Sequence, residues 1–210
     1  MAEPSGPTAR ATHWDDTYAG REVDAVSWFQ AEPHDSLELI DALGVDRDLA
    51  VIDIGGGASS LVDRLVARGF TDLTVLDVSE VALRVARTRL GDDPKVEWIT
   101  SDVLEWEPER PYGLWHDRAV FHFLIDPTDR AAYLATLRAA VPSGAVVLAT
   151  FAPDGPDTCS GLPVARYDPD DLAGLLEGFD VGETRREVHV TPCGTEQPFS
   201  FVAARRARAV

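Results

Sequence analysis

The sequence predicts an α/β protein built on a doubly wound, mostly parallel sheet of seven strands that ends in an antiparallel hairpin. Three observations carry this. Residues 49–60, LAVIDIGGGASS, place a short apolar run ahead of three glycines, and Leu61, Val62, Leu65 and Val66 behind them have helical spacing. Four further apolar runs alternate for the most part with stretches of helical spacing, an order that short connections and right-handed crossovers convert into a parallel sheet. Residues 181–190 and 199–204 read as two strands joined by a Pro/Gly turn, which makes a hairpin at the sheet edge.

Taken in order, residues 1–12 have no apolar periodicity and are expected to form a flexible tail before a single domain over residues 13–210. Residues 13–45 hold Trp14, Tyr18, Trp28 and Phe29, which suit helices packed on the sheet and equally a lid over a ligand. Leu37, Leu39, Ile40 and Leu43 mark a helix closed by Gly44. The run from 49 to 54 has the profile of a strand buried on both faces, broken only by Asp53. An unpaired charge there is expensive, so Asp53 points to a ligand or a polar network. The glycine loop that follows lets the backbone approach a ligand closely and aims N–H groups and a helix N-terminus at it.

A second buried strand, residues 73–76, finishes at Asp77, 20 residues beyond Gly57. Ser79 is placed to cap a helix with Val81, Ala82, Val85, Ala86 and Leu90 on its inner face, closed by Gly91. Residues 96–100 form a third strand followed by Ser101 and Asp102, and residues 113–116 a fourth that delivers Asp117. A turn or short helix over 118–124 leads to a helix through Tyr133, Leu134, Leu137 and Val141, then to the fifth strand at 145–151. Residues 152–167 lack a period and make a long loop of the kind that often carries function. Asp168 and Pro169 start the last helix.

Composition bounds the function. A chain of 210 residues, 45% hydrophobic, suits one domain, and a net charge of -17 repels phosphate backbones, so a nucleic-acid partner is not expected. No apolar run approaches membrane-spanning length and no leader pattern opens the chain, so cytoplasmic residence is the default expectation. Cys159, His189 and Cys193 show no zinc spacing, and no metal is expected. His116 and His122 flank Asp117; a neutral imidazole can take a proton near pH 7, but a histidine on an apolar segment is also a common hydrogen-bonded core residue.

The successive stretches VIDIGGGAS, LDVSE, SDVLEW, GLWHDRAVFHFL and PSGAVVLATF resemble, in order, the motifs of class I S-adenosylmethionine-dependent methyltransferases. The leading aromatic segment resembles the lid of a subgroup that includes lysine and thiopurine methyltransferases. The resemblance implies a Rossmann-like fold and S-adenosyl-L-methionine as cofactor. It sets Asp53, Gly55, Gly56 and Gly57 at the amino-acid part of the cofactor and Asp77 with Val78 at the ribose. Asp102 and Val103 fall at the adenine, Asp117 and Arg118 beside the sulfur, and Trp14 and Tyr18 in the lid. Ser59 departs from the pattern, which has glycine there.

Methyl transfer needs alignment and exclusion of water, with a base only where the acceptor must lose a proton. His122 is the first choice for that base, His116 the second, and Asp117 stands between them. Trp28, Phe29, Phe121, His122, Phe123, Cys159 and Arg166 are the expected substrate walls, apolar enough for a small-molecule acceptor. Two alternatives stand beside it: a protein lysine acceptor drawn to the acidic surface, and a non-catalytic subunit that only holds the cofactor. A nicotinamide-dependent oxidoreductase fits less well, because its fingerprint wants glycine where Ser60 stands and leaves Asp53 unexplained.

Overall fold

A computed structural model describes residues 6–91 and 93–207. Helix α1 spans Pro7–Ala19 and α2 His34–Leu43, followed by strand β1, Val51–Ile54. Next come α3 (Leu61–Ala67), β2 (Leu73–Asp77), α4 (Glu80–Leu90), β3 (Val96–Thr100) and β4 (Leu114–Arg118). After α5 (Pro127–Ala140) and β5 (Ala145–Phe151), two short strands, β6 (Thr158–Cys159) and β7 (Leu162–Pro163), precede α6 (Pro169–Gly174). The chain closes with β8 (Phe179–Val190) and β9 (Glu196–Arg206).

Seven strands form one sheet in the order β3-β2-β1-β4-β5-β9-β8, with the first five parallel and the last two antiparallel. The mostly parallel, doubly wound sheet with a terminal hairpin is therefore as predicted. One face of the sheet packs against α2 and α3 through Leu37, Ile40, Leu61 and Leu65, the other against α5 and α6 through Tyr133, Leu137 and Leu172. Every residue of β1, β2 and β5 is buried, which is why these strands read as continuous apolar runs. Among the described residues no helix is long and apolar enough to cross a membrane.

Two local expectations are corrected. Residues 7–12, expected in a flexible tail, are the first turns of α1: Pro7 has its φ fixed for the first helical position, and Arg10 reaches Asp102 at 2.5 Å. Residues 1–5 of that expected tail lie outside the described residues. The long loop after β5 is not periodless: β6 and β7 pair as a hairpin whose turn residues Ser160 and Gly161 both have positive φ, 50° and 78°. The Ser-Gly pair was the available signal. That hairpin is stitched to its surroundings by Ala165 N–H donating to the His122 carbonyl and Tyr167 N–H donating to the Phe151 carbonyl.

Candidate active site

The carboxyl ends of the parallel strands open into a cavity that is continuous with solvent. On one side it is bounded by Asp77 and Val78 after β2 and by Ser101, Asp102 and Val103 after β3. Arg118 to Val120 after β4, with Phe123 and Cys159, bound the other. Arg10, Trp14 and Tyr18 of α1 cover it, together with Trp28. A smaller cavity beside it is lined by Asp53, Gly55, Gly56, Ser36, His116 and Arg118.

Helix α1 is fixed over this space by polar contacts at both ends. The Asp15 carboxylate accepts from Ser79 Oγ at 2.6 Å and from Val81 N–H at 3.2 Å, so α1 docks on the N-terminus of α4, where negative charge is favourable. Trp28 donates its indole N–H to Tyr18 Oη at 3.1 Å, and Trp14 meets Trp28 and Phe123 edge-on at 5.7 and 5.2 Å between centroids. The aromatic segment is thus both packing and roof.

The glycine loop is shaped by its neighbours. Gly55 and Gly57 have φ of 65° and 43°, and a Cβ on Gly57 would lie 2.8 Å from Asp77 Oδ2 and 3.2 Å from Tyr18 Oη. A Cβ on Gly56 would lie 2.5 Å from Asp53 Oδ2. Ser59, the departure from the family pattern, has a use: its Oγ accepts from Leu61 N–H at the start of α3.

Asp77 has Oδ1 held by the Ser79 N–H at 2.8 Å, and its pKa is pushed up to about 7 by burial, with the charges of Asp53 and Asp15 adding to the effect. Asp53 and His116 face each other in register on β1 and β4, with His116 Nδ1 at 2.7 Å from Asp53 Oδ1 and His116 Nε2 at 2.8 Å from Ser36 Oγ. Asp102 takes Arg10 Nε on Oδ2 and Leu104 N–H on Oδ1.

These contacts correct three expectations. His116 has both ring nitrogens engaged, bridging α2 to Asp53, which leaves none to act as a base. Asp117 lines neither cavity, because side chains alternate along β4 and it points to the α5 face. There it is fully buried, accepting from Val120 N–H, Phe121 N–H and Tyr133 Oη, the last at 2.5 Å. Burial pushes its pKa up to about 6 against the pull of those donors. His122 is sealed among Phe123 and Phe151 rings, 4.4 and 4.8 Å away, and its pKa falls to about 3 through burial and the nearby Arg118 charge. It lines neither cavity.

Of the expected substrate walls, Trp28, Phe123 and Cys159 reach the main cavity and Phe29 the smaller one. Phe121 is buried behind them, and Arg166 donates to the Gly155 carbonyl in the surface loop. Arg10 was missed, since it fell in the expected tail.

A family profile described as a methyltransferase domain matches residues 51–144, which run from β1 to the turn before β5. The fold is shared with a 1,6-didemethyltoxoflavin-N1-methyltransferase of Burkholderia thailandensis, solved with S-adenosylhomocysteine. The TM-score is 0.75 at 22% identity, over 99% of this chain and 92% of that one. Residues 51–144 thus match a methyltransferase domain, and the whole chain shares its fold with a methyltransferase.

Two curated methyltransferases extend the comparison. Malonyl-[acyl-carrier protein] O-methyltransferase of Halalkalibacterium halodurans is 31% identical over 115 residues, 52% of this chain and 41% of that protein. The chain thus spans about two-fifths of that relative's length. EEF1A lysine methyltransferase 2 of Danio rerio is 25% identical over 154 residues, 65% of this chain and 66% of that protein. The donor set in this chain suits the class cofactor. Asp77 offers a vicinal diol two oxygens, Asp102 and the Val103 amide lie where a purine edge can sit, and rings of α1 stand above both.

Proposed function

We propose that this methyltransferase transfers a methyl group from S-adenosyl-L-methionine to a nucleophilic N, S or O atom of a small molecule. The observation that carries the reading is the cavity at the strand ends, acidic at the β2 and β3 ends and mostly apolar at the β4 end, roofed by α1. In this reading Asp77 holds the ribose hydroxyls and Asp102 the adenine amino group. Asp53, steadied by His116, faces the amino-acid end across Gly55 and Gly56. When bound, the cofactor supplies a methyl group on a sulfonium, a leaving group that needs no acid.

What the chain supplies is position and dryness. Trp14, Tyr18 and Trp28 exclude water above the strands, while Phe123 and Val120 present apolar contacts toward the acceptor. His116 is tied at both nitrogens and His122 is sealed from the cavities, so an acceptor that is already deprotonated at working pH fits best.

A protein lysine acceptor is the second reading, favoured by the net charge of -17, which would steer a basic segment, and by the likeness to the Danio rerio enzyme. Calorimetry with S-adenosylhomocysteine and a methyl-transfer assay on parallel panels of small nucleophiles and lysine peptides test these. Micromolar binding with turnover on the small-molecule panel supports the first reading, and turnover on peptides alone replaces it. Binding with no transfer to either panel favours a non-catalytic subunit.

A further inference from the structure

Arg118 is a partly buried cation that the proposed transfer does not use. It ends β4, and its guanidinium stacks 4.4 Å above the Phe199 ring of β9. Nη1 donates to the Trp28 carbonyl at 3.2 Å. Nε and Nη2 are shielded from solvent and, among the described residues, have no hydrogen-bond partner. Nor does any described carboxylate come within ion-pair distance; Asp35 acts on it only through its more distant field. Burial lowers the Arg118 pKa to about 10, which still leaves it charged at neutral pH.

The two idle donors are neighbours on one edge of the guanidinium, the edge that grips a carboxylate with two parallel hydrogen bonds. Leaving such a fork buried and unpaired is costly unless something else completes it. Arg118 lines both cavities. It reaches across β5 to β9, away from the ends of β1, β2 and β3, where the carboxylates that suit the cofactor stand.

We infer that the edge of Arg118 formed by Nε and Nη2 is the receptor for a carboxylate carried by the methyl acceptor. The inference rests on the methyltransferase reading above and deepens it by naming a substrate class: small organic acids whose apolar part packs against Phe123 and Trp28. The same chemistry could come from the carboxylate at the amino-acid end of the cofactor, since the smaller cavity also holds Asp53 and Gly55. The reach toward β9 favours the acceptor.

The test titrates protein saturated with S-adenosylhomocysteine with acetate, benzoate, phenylacetate and indole-3-acetate, each paired with its primary amide, by ligand-observed NMR. At least one acid is expected to bind about ten- to a hundredfold tighter than its amide, the range of a charge-assisted pair. Arg118→Gln should erase that preference, and any loss of S-adenosylhomocysteine affinity should be smaller than the loss of the preference and equal for 5′-methylthioadenosine. Should Arg118→Gln fail to fold, Arg118→Lys keeps the charge, removes the fork and should reduce the preference. Equal binding of every acid and its amide by the wild-type protein overturns the inference. So does a variant that loses affinity for S-adenosylhomocysteine but not for 5′-methylthioadenosine, which lacks the carboxylate, because the fork then belongs to the cofactor. Failure of the wild type to bind S-adenosylhomocysteine counts against the methyltransferase reading, and the acid-amide comparison is then read on the protein alone.

Discussion

The two halves of the cavity are built from opposite materials. At the ends of β1, β2 and β3 stand three carboxylates, Asp53, Asp77 and Asp102, each already held by a backbone or side-chain donor. At the ends of β4, β5 and β9 stands one cation, Arg118, on an aromatic ring and with two donors idle. The first half is a preorganised acceptor of hydrogen bonds, suited to a ligand rich in hydroxyl and amino groups. The second is an apolar wall with one unspent charge, suited to a ligand that is mostly hydrocarbon with an acidic tip. That contrast is what the proposed reading, a cofactor and an acceptor meeting in one space, would need.

The sharpest way to break this division is at Asp117, which sits at the boundary but serves the scaffold. Asp117→Ala strips partners from two amides and from Tyr133, and should cost about 3 kcal/mol or more of stability by urea denaturation. A fully stable Asp117→Ala protein would return Asp117 to the functional residues.

Next in size is Asp77→Ala, expected to weaken S-adenosylhomocysteine by about 1.5–3 kcal/mol in calorimetry. Because the Asp77 pKa is raised to about 7, its carboxylate is mostly protonated at pH 6. Hydroxyl donors favour the ionised form, so affinity should rise from pH 6 to 8, by at most about tenfold per unit below that pKa. A flat profile, or one unaltered by Asp77→Asn, would remove Asp77 from the ribose role.

His122 sharpens the comparison from the other half. Its folded pKa of about 3 lies below its unfolded value, so between those values only the unfolded chain binds the proton. The stability contribution is therefore complete above about pH 6.5 and is lost as pH falls below it, by up to about 1.4 kcal/mol per unit. His122→Phe should flatten that slope in denaturation measured at pH 5 and 7 and leave the pH profile of transfer unchanged. A changed transfer profile would restore His122 as the base.

The smallest expected effect is at the roof. Arg10→Ala removes a partly exposed ion pair with Asp102, worth about 0.5–1 kcal/mol, and should speed S-adenosylhomocysteine release about two- to fivefold in stopped-flow fluorescence. Unaltered release would make the pair incidental to α1.

The first half of the cavity was legible because its parts are local. Asp53, the glycines, Asp77 and Asp102 each sit within a few residues of a strand end, and apolar runs locate strand ends. The second half was not. Arg118 was visible, but Phe199 lies 81 residues further along the chain, and no periodicity reports which ring a side chain will meet. The failures at His116 and Asp117 share one cause. Adjacent residues of a strand face opposite sides, and the choice of side rests on distant partners, Ser36 in one case and Tyr133 in the other. Arg10 was lost for a different reason: α1 has no buried residue, so its helix leaves no apolar stripe to read.

That absence has a kinetic side. A helix held by the polar anchors Arg10 and Asp15 and by Trp14 and Tyr18 against Trp28 and Phe123, with no residue fully buried, can lift without unpacking the sheet beneath. Suppose departure of the spent cofactor needs that lifting and the chemistry beneath does not. The tempo of repeated turnover would then be set by how often these contacts let go together, and the first turnover would outrun all those that follow it.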